Sequence, residues 1–268
     1  SVIDGASDAV AATVPSGTVG TGPTAIAVNP VTGKVYVANE SSGSVTVIDG
    51  VTNNTTNVPV GNAPTAVAVN PVTDKIYVAN NGGGTVSVID GASDAVVATV
   101  TVGTNPAAIA VSPMLNRIFV ANQGSGTVTV IDGGIGNTTP VGVGTSPADV
   151  AVNPVTNRIY VANQGSGTVT VVDGATNTVI TAIPVGTDPT ALALNPVSNK
   201  IYVANNSSDN VTVIDGATNV PTTVGVGSSP AAVAINPVTG KIYVANFGSQ
   251  NVTVIDGVTN AVAATVSV

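Results

Sequence analysis

A phrase close to Asn-Pro-Val-Thr-x-Lys-Ile-Tyr-Val-Ala-Asn occurs six times in this chain, anchored by Pro30, Pro71, Pro113, Pro154, Pro196 and Pro237. Successive anchors lie 41, 42, 41, 42 and 41 residues apart. A period that regular, sustained along the chain, means one supersecondary unit built again and again, each copy burying its faces against its neighbours.

Within the first complete unit, residues 24–29 form a short apolar run ended by Pro30, and residues 34–39 form a second run rich in β-branched and aromatic side chains. Residues 45–48, the Asp49-Gly50 turn and a looser Thr-rich stretch ending near Val60 follow. These read as four strands, A to D. Links of four to six residues suit antiparallel hairpins and are too short for parallel crossovers. Strands A and B are apolar at nearly consecutive positions, so both faces of each sheet are expected to be covered. Four short antiparallel strands per period is the blade arithmetic of a β-propeller. The expected fold is therefore all-β, a single propeller domain over 1–268. Units are joined by Gly-x-x-Pro, as in Gly61-Asn62-Ala63-Pro64 and Gly186-Thr187-Asp188-Pro189. There the glycine is expected to permit the turn and the proline to set the entry of the next strand.

The chain opens in the middle of a unit, because Ser1-Val2-Ile3-Asp4-Gly5 matches Ser87-Val88-Ile89-Asp90-Gly91. Residues 1–20 then form a half blade, strands C and D without A and B, ahead of six repeats of 41–42 residues. Seven blades are expected, the N-terminal one incomplete, with translation starting upstream of Ser1. The alternative is a six-bladed ring with an N-terminal flap.

All six basic residues occupy one repeat position: Lys34, Lys75, Arg117, Arg158, Lys200 and Lys241. Fifteen residues after each stands the Asp of an Asp-Gly turn: Asp49, Asp90, Asp132, Asp173, Asp215 and Asp256. In a B–C hairpin the start of B lies opposite the end of C, so six cross-strand salt bridges are expected. Each would contribute about 0.2–1 kcal/mol and serve mainly to set register.

Composition removes several function classes. A net charge of −8 disfavours nucleic acid and anionic membrane surfaces. No apolar run approaches the roughly 18 residues that a membrane-spanning helix needs. With no Cys, no His and one Glu, disulfides, thiolate or Ser-His-Asp catalysis and His- or Cys-based zinc sites are out of reach. Gly82-Gly83-Gly84 has neither the Lys-Ser/Thr ending nor the strand-to-helix setting of a phosphate loop.

Paired carboxylates remain as chemistry. Asp149 stands where the other repeats carry Ala25, Ala66, Ala108, Ala191 and Ala232, on the strand expected to line the channel. Asp188 lies in the D–A loop of the next blade, so Asp149 and Asp188 form a candidate site for a hard cation such as calcium. No other cofactor is expected. Sequons at Asn39, Asn53, Asn137, Asn205, Asn210 and Asn251 are candidate glycosylation acceptors.

The Tyr-Val-Ala-Asn segments at 36–39, 77–80, 160–163, 202–205 and 243–246, with Phe119-Val120-Ala121-Asn122, resemble the YVTN-family propeller repeat. Val-Thr-Val-Ile-Asp-Gly and Gly-x-x-Pro strengthen the likeness, which covers essentially the whole chain; Ala stands where the family signature has Thr, and the third unit departs further at Ser112, Met114 and Leu115. Such repeats occur in surface-layer and other envelope or secreted proteins. The resemblance implies a non-enzymatic structural, adhesive or protein-interaction role at the cell surface or in an extracellular assembly. Expected partners are other surface proteins, saccharides or copies of itself, with polymerisation through the N-terminal half blade. The alternatives are a lactonase- or lyase-type propeller enzyme and a small-ligand binder at the channel face.

Overall fold

The structure is a computed structural model describing residues 1–4, 6–14 and 19–268. Gly5 of the opening match and residues 15–18 of the half blade lie outside the described residues. The single domain expected over 1–268 divides into two compact units, Ser1–Pro106 and Ala107–Val268.

The first unit contains a two-stranded hairpin, β1 (Val2–Asp4) and β2 (Ala9–Ala12), and two four-stranded sheets. These are β3 (Pro23–Val28), β4 (Val35–Asn39), β5 (Ser44–Ile48) and β6 (Thr55–Pro59), then β7 (Pro64–Asn70), β8 (Lys75–Asn80), β9 (Thr85–Asp90) and β10 (Ala95–Thr101). The second unit holds four more sheets, and its first strand begins on the last residue of the first unit. They are β11 (Pro106–Ser112), β12 (Arg117–Asn122), β13 (Thr127–Asp132) and β14 (Thr138–Gly142); and β15 (Pro147–Val152), β16 (Arg158–Asn163), β17 (Thr168–Asp173) and β18 (Thr178–Pro184). Next come β19 (Pro189–Asn195), β20 (Lys200–Asn205), β21 (Asn210–Asp215) and β22 (Pro221–Gly225), and last β23 (Pro230–Asn236), β24 (Lys241–Asn246), β25 (Asn251–Asp256) and β26 (Val262–Ser267).

Every four-stranded sheet is an A–B–C–D meander in chain order, as the short links dictate. The fold is all-β, with the blades of a β-propeller: among the described residues six are complete, preceded by a C–D hairpin. Gly82 and Gly83 fall in a single 3-10 turn, Asn81–Gly83, and a matching turn spans Asn206–Ser208. No helix among the described residues is long and apolar enough to cross a membrane.

Burial follows position in the blade. Strand B of the internal blades is buried on both faces, whereas strand D at the outer edge is mostly exposed. Tyr36, Tyr77, Phe119, Tyr160 and Tyr202 on strand B are at most 2% exposed and pack in the cores. Cores form between sheets: Tyr160, Val171 and Ile183 of one blade meet Leu192, Ile201, Val203 and Ile214 of the next. Each such side chain contributes about 1.5–3 kcal/mol when fully buried.

Each of the four turns in a repeat has one left-handed residue. In the fifth complete blade these are Asn199 (A–B, φ 51°), Asp209 (B–C, φ 52°) and Asn219 (C–D, φ 62°), with Asp188 (φ 59°) in the turn that leads into it. Asn, Asp and Gly dominate these positions because they enter this region at least cost. This corrects the expectation for Gly-x-x-Pro: in Gly61-Asn62-Ala63-Pro64 the positive φ belongs to Ala63, at 49°. Gly61 is needed for a different reason. A Cβ there would come within 2.5 Å of the Asn80 side chain, and Gly186 meets Asn205 in the same way at 2.7 Å.

Candidate functional site

The strand register sets Lys75 opposite Asp90, Arg117 opposite Asp132, Arg158 opposite Asp173, Lys200 opposite Asp215 and Lys241 opposite Asp256. Side chains complete that pairing in only two of these. Lys75 Nζ is 2.5 Å from Asp90 Oδ2, and Lys241 Nζ is 2.8 Å from Asp256 Oδ2.

The other four bases reach forward into the next blade, which corrects the expected pairs Lys34–Asp49, Arg117–Asp132, Arg158–Asp173 and Lys200–Asp215. Lys34 Nζ donates to Gly91 O (2.9 Å) and Asp94 Oδ2 (2.8 Å). Arg117 Nη1 donates to Gly174 O, Ala175 O and Asn177 Oδ1 at 2.5, 2.7 and 3.1 Å. Lys200 Nζ donates to Gly257 O and Asn260 Oδ1 at 2.7 and 2.9 Å, and Arg158 Nη1 to Gly216 O at 2.6 Å. All of these acids, Asp90 and Asp256 included, also serve their own turns. Asp49 Oδ1 accepts from the Val51 and Thr52 N–H groups, and Asp132, Asp173 and Asp215 do the same. Those turn N–H groups, Thr52 foremost for Asp49, hold Asp49, Asp173 and Asp215 below the usual carboxylate range. For Asp90 and Asp256 the lysine is the leading cause of a larger depression. A base that leaves such an acid gains a carbonyl of the next blade, and Lys34, Arg117 and Lys200 an Asx side chain as well, so that one blade is tied to another.

Asp149 lies on β15, half-buried by its surface yet closely packed round by protein. Its Oδ1 accepts from its neighbour's N–H on Val150, and Oδ2 accepts from Leu192 N–H on β19, both at 2.8 Å. The carboxylate thus bridges the inner strands of two blades. Burial pushes it up to about 6, against the pull of these two N–H groups. Asp188 accepts from Ser207 Oγ at 3.1 Å. Each carboxylate has its own protein partners, and among the described residues no three or more acidic side chains gather in one place.

Two of the sequons are corrected. Asn39 and Asn205 are fully buried, and their Nδ2 atoms, where a sugar would attach, donate to Thr46 and Thr212 at 2.9 and 2.8 Å. Asn80, Asn122, Asn163 and Asn246 repeat the arrangement, so the last residue of Tyr-Val-Ala-Asn is an internal clamp from strand B to strand C. Asn210 and Asn251 take part as acceptors from the preceding Asn. Asn53 sits at a left-handed turn, and Asn137 is exposed.

One recurrent residue was not singled out by its sequence position. The apolar residue after the turn proline, Val31, Val72, Met114, Val155, Val197 or Val238, is between 72% and 92% exposed. The turn does not need it there. In five of the six turns its N–H is held by the Asn Oδ1 two residues earlier, as Val155 is by Asn153 at 2.9 Å. Consecutive turns are also bonded to each other, through Asn29 Nδ2 to Asp74 Oδ1 and Asn153 Nδ2 to Asn199 Oδ1, each 2.7 Å. The signal was present in the repeat, as an apolar residue in a Pro-x-Thr turn that the core never claims.

No protein-family model matches the sequence, and no curated protein does. Among solved structures, a chain of hydrazine synthase from Kuenenia stuttgartiensis matches with a TM-score of 0.58 at 21% identity, over 88% of this chain and 95% of the other. At that identity the likeness is one of fold.

Proposed function

We propose that this chain is a non-enzymatic β-propeller of the YVTN-repeat kind, serving outside the cytoplasm as a structural, adhesive or protein-interaction module. The observation that carries the reading is the exposed apolar residue on each A–B turn. Rigid turns bonded in series hold these side chains out to solvent at a cost in solubility, and exposed apolar groups in ordered array suit contact with another macromolecule. The remaining chemistry is used internally: four of the six bases hold blades together and two brace their own hairpins, the turn acids hold turns, and the asparagines clamp strands. Other surface proteins, saccharides and further copies of the chain are the partners this surface suits.

The test has two parts. Protease applied to intact cells should remove the protein while a cytoplasmic marker survives. Replacing Val155, Val197 and Val238 together by Ser should abolish assembly or adhesion without lowering the melting temperature. Protection from external protease would refute the location, and undiminished adhesion by the triple variant would refute the role of the turns.

A further inference from the structure

The pattern Asn-x-Ser/Thr also occurs at Asn54-Thr55-Thr56 and Asn206-Ser207-Ser208, beside the six sequons already named. What separates these asparagines is where the side-chain amide goes. Asn39 and Asn205 are sealed inside the blade. Asn206 Nδ2 donates to Pro230 O (3.3 Å), Asn210 Nδ2 to Ser208 O (2.9 Å) and Asn251 Nδ2 to Ser249 O (3.3 Å). Asn53 stands half-buried at the left-handed position of a C–D turn, where Asn177 and Asn260 turn inward to accept from Arg117 and Lys200.

Asn54 and Asn137 remain, and they are the same residue of the repeat. The carbonyl of each accepts from the N–H of its turn aspartate, Asp49 or Asp132, at 2.9 Å, and each leads directly into strand D. Both are exposed, and so are their counterparts Ala95, Thr178, Val220 and Ala261 in the other complete blades. The exposure therefore belongs to the blade, whatever its place in the chain. Thr56 and Thr139, two residues on, are exposed as well, and among the described residues no group holds the amide of Asn54 or Asn137.

We infer that Asn54 and Asn137 carry N-linked glycans, one at the head of β6 and one at the head of β14. The donor is a sugar on a polyprenyl phosphate carrier. A bond forms between Nδ2 and the anomeric carbon as the bond from that carbon to the phosphate oxygen breaks; the amide proton passes to the transferase and the lipid phosphate leaves. Thr56 and Thr139 supply the hydroxyl that completes the acceptor pattern. Strand D is the open edge of its sheet and presents unpaired N–H and C=O groups. A bulky hydrated group at its start hinders pairing with another chain and adds solubility to a protein with 7% charged residues. Transfer from a membrane carrier takes place outside the cytoplasm, so the modification rests on the extracytoplasmic reading. External protease reads the location and peptide masses read the glycan, so one can fail without the other.

The test takes the protein from its native cells, cuts it after lysine and arginine and weighs the peptides. Asn137 then falls in residues 118–158 with no other sequon, and Asn54 falls in residues 35–75. Both peptides should exceed the mass of their sequences by whole sugar residues, with fragmentation placing the sugar on Asn54 rather than Asn39 or Asn53. Thr139→Ala keeps Asn137 and removes the hydroxyl, so the 118–158 peptide should return to its bare mass, and Thr139→Ser should restore the glycan. Thr56→Ala and Thr56→Ser should do the same for Asn54, while leaving Asn53-Asn54-Thr55 intact. Bare mass at either peptide in the unaltered protein, a sugar on Asn39, Asn53 or Asn205 in its place, or a glycan that survives Thr139→Ala overturns the inference.

Discussion

Lys34 Nζ lies 2.8 Å from the carboxylate of Asp94, 60 residues further along and in the next blade. The acid that stands nearer in sequence, Asp49, spends its Oδ1 on the N–H groups of Val51 and Thr52. The same forward reach recurs at Arg117, Arg158 and Lys200, so the interface between blades has a polar bolt at its rim as well as an apolar centre.

Lys34→Met should cost about 1 kcal/mol of unfolding free energy, because the pair is only partly open to solvent and also holds Gly91 O. In urea titrations a double-mutant cycle should couple Lys34 to Asp94 and leave Asp49 uncoupled. Coupling to Asp49 instead would reverse the assignment.

Asp149 makes stability fall as pH rises. Its folded value of about 6 lies above the ordinary 3.8, so between those values the folded state holds more proton than the unfolded one. The contribution is complete below about pH 4 and lost as pH rises through 6. Asp149→Ala, which restores the residue of the other repeats, should erase the dependence in that window. At pH 7 the variant should gain about 1 kcal/mol or more over the unaltered protein at equal ionic strength, a figure kept below the full shift because the carboxylate is partly exposed. Melting temperatures that run parallel from pH 4 to 7 would sink this prediction.

At the D–A turns, Ala63 has φ 49°, a conformation that costs an L-residue about 1 kcal/mol and glycine almost nothing. Ala63→Gly should therefore raise stability by about 0.5 kcal/mol after the added freedom of the unfolded chain is set against it. Gly144→Ala should do the opposite, because its Cβ would approach Asn163 Cβ to 2.7 Å; a loss of about 1–3 kcal/mol is expected. Thermal unfolding of the two variants side by side tests both signs.

Asn163→Ala removes a fully buried amide that donates to Thr168 and Thr170 Oγ1 at 3.1 and 2.9 Å. About 2 kcal/mol should be lost, from the two hydrogen bonds and the space left behind. Hydrogen exchange should quicken in β16 and β17 first. Uniform quickening throughout Ala107–Val268 would mean the clamp acts on the whole unit instead.

Much of this architecture was legible because a repeat states each rule six times. The period gave the blade, the apolar runs gave the strands to within a residue or two, and the spacing from Lys75 to Asp90 gave the B–C register. What stayed hidden depends on the neighbouring blade. Lys34 and Asp49 are close in sequence, and nothing along one repeat says that the next sheet will bring Gly91 and Asp94 nearer. Asn39 reads as a polar residue before a Ser-Gly loop; only the approach of the D–A turn that leads into its own blade makes it internal. The exposed valines were masked by the reverse error, since an apolar residue in an apolar repeat is first assumed to face inward.

The forward reach of the bases gives the stack a sense of direction. Severing the chain between two blades would leave a stranded cation on the piece before the cut and a vacant carbonyl cradle on the piece after it. Halves prepared separately would then have one order in which to rejoin, set by chemistry at the rim even though their apolar surfaces are nearly interchangeable.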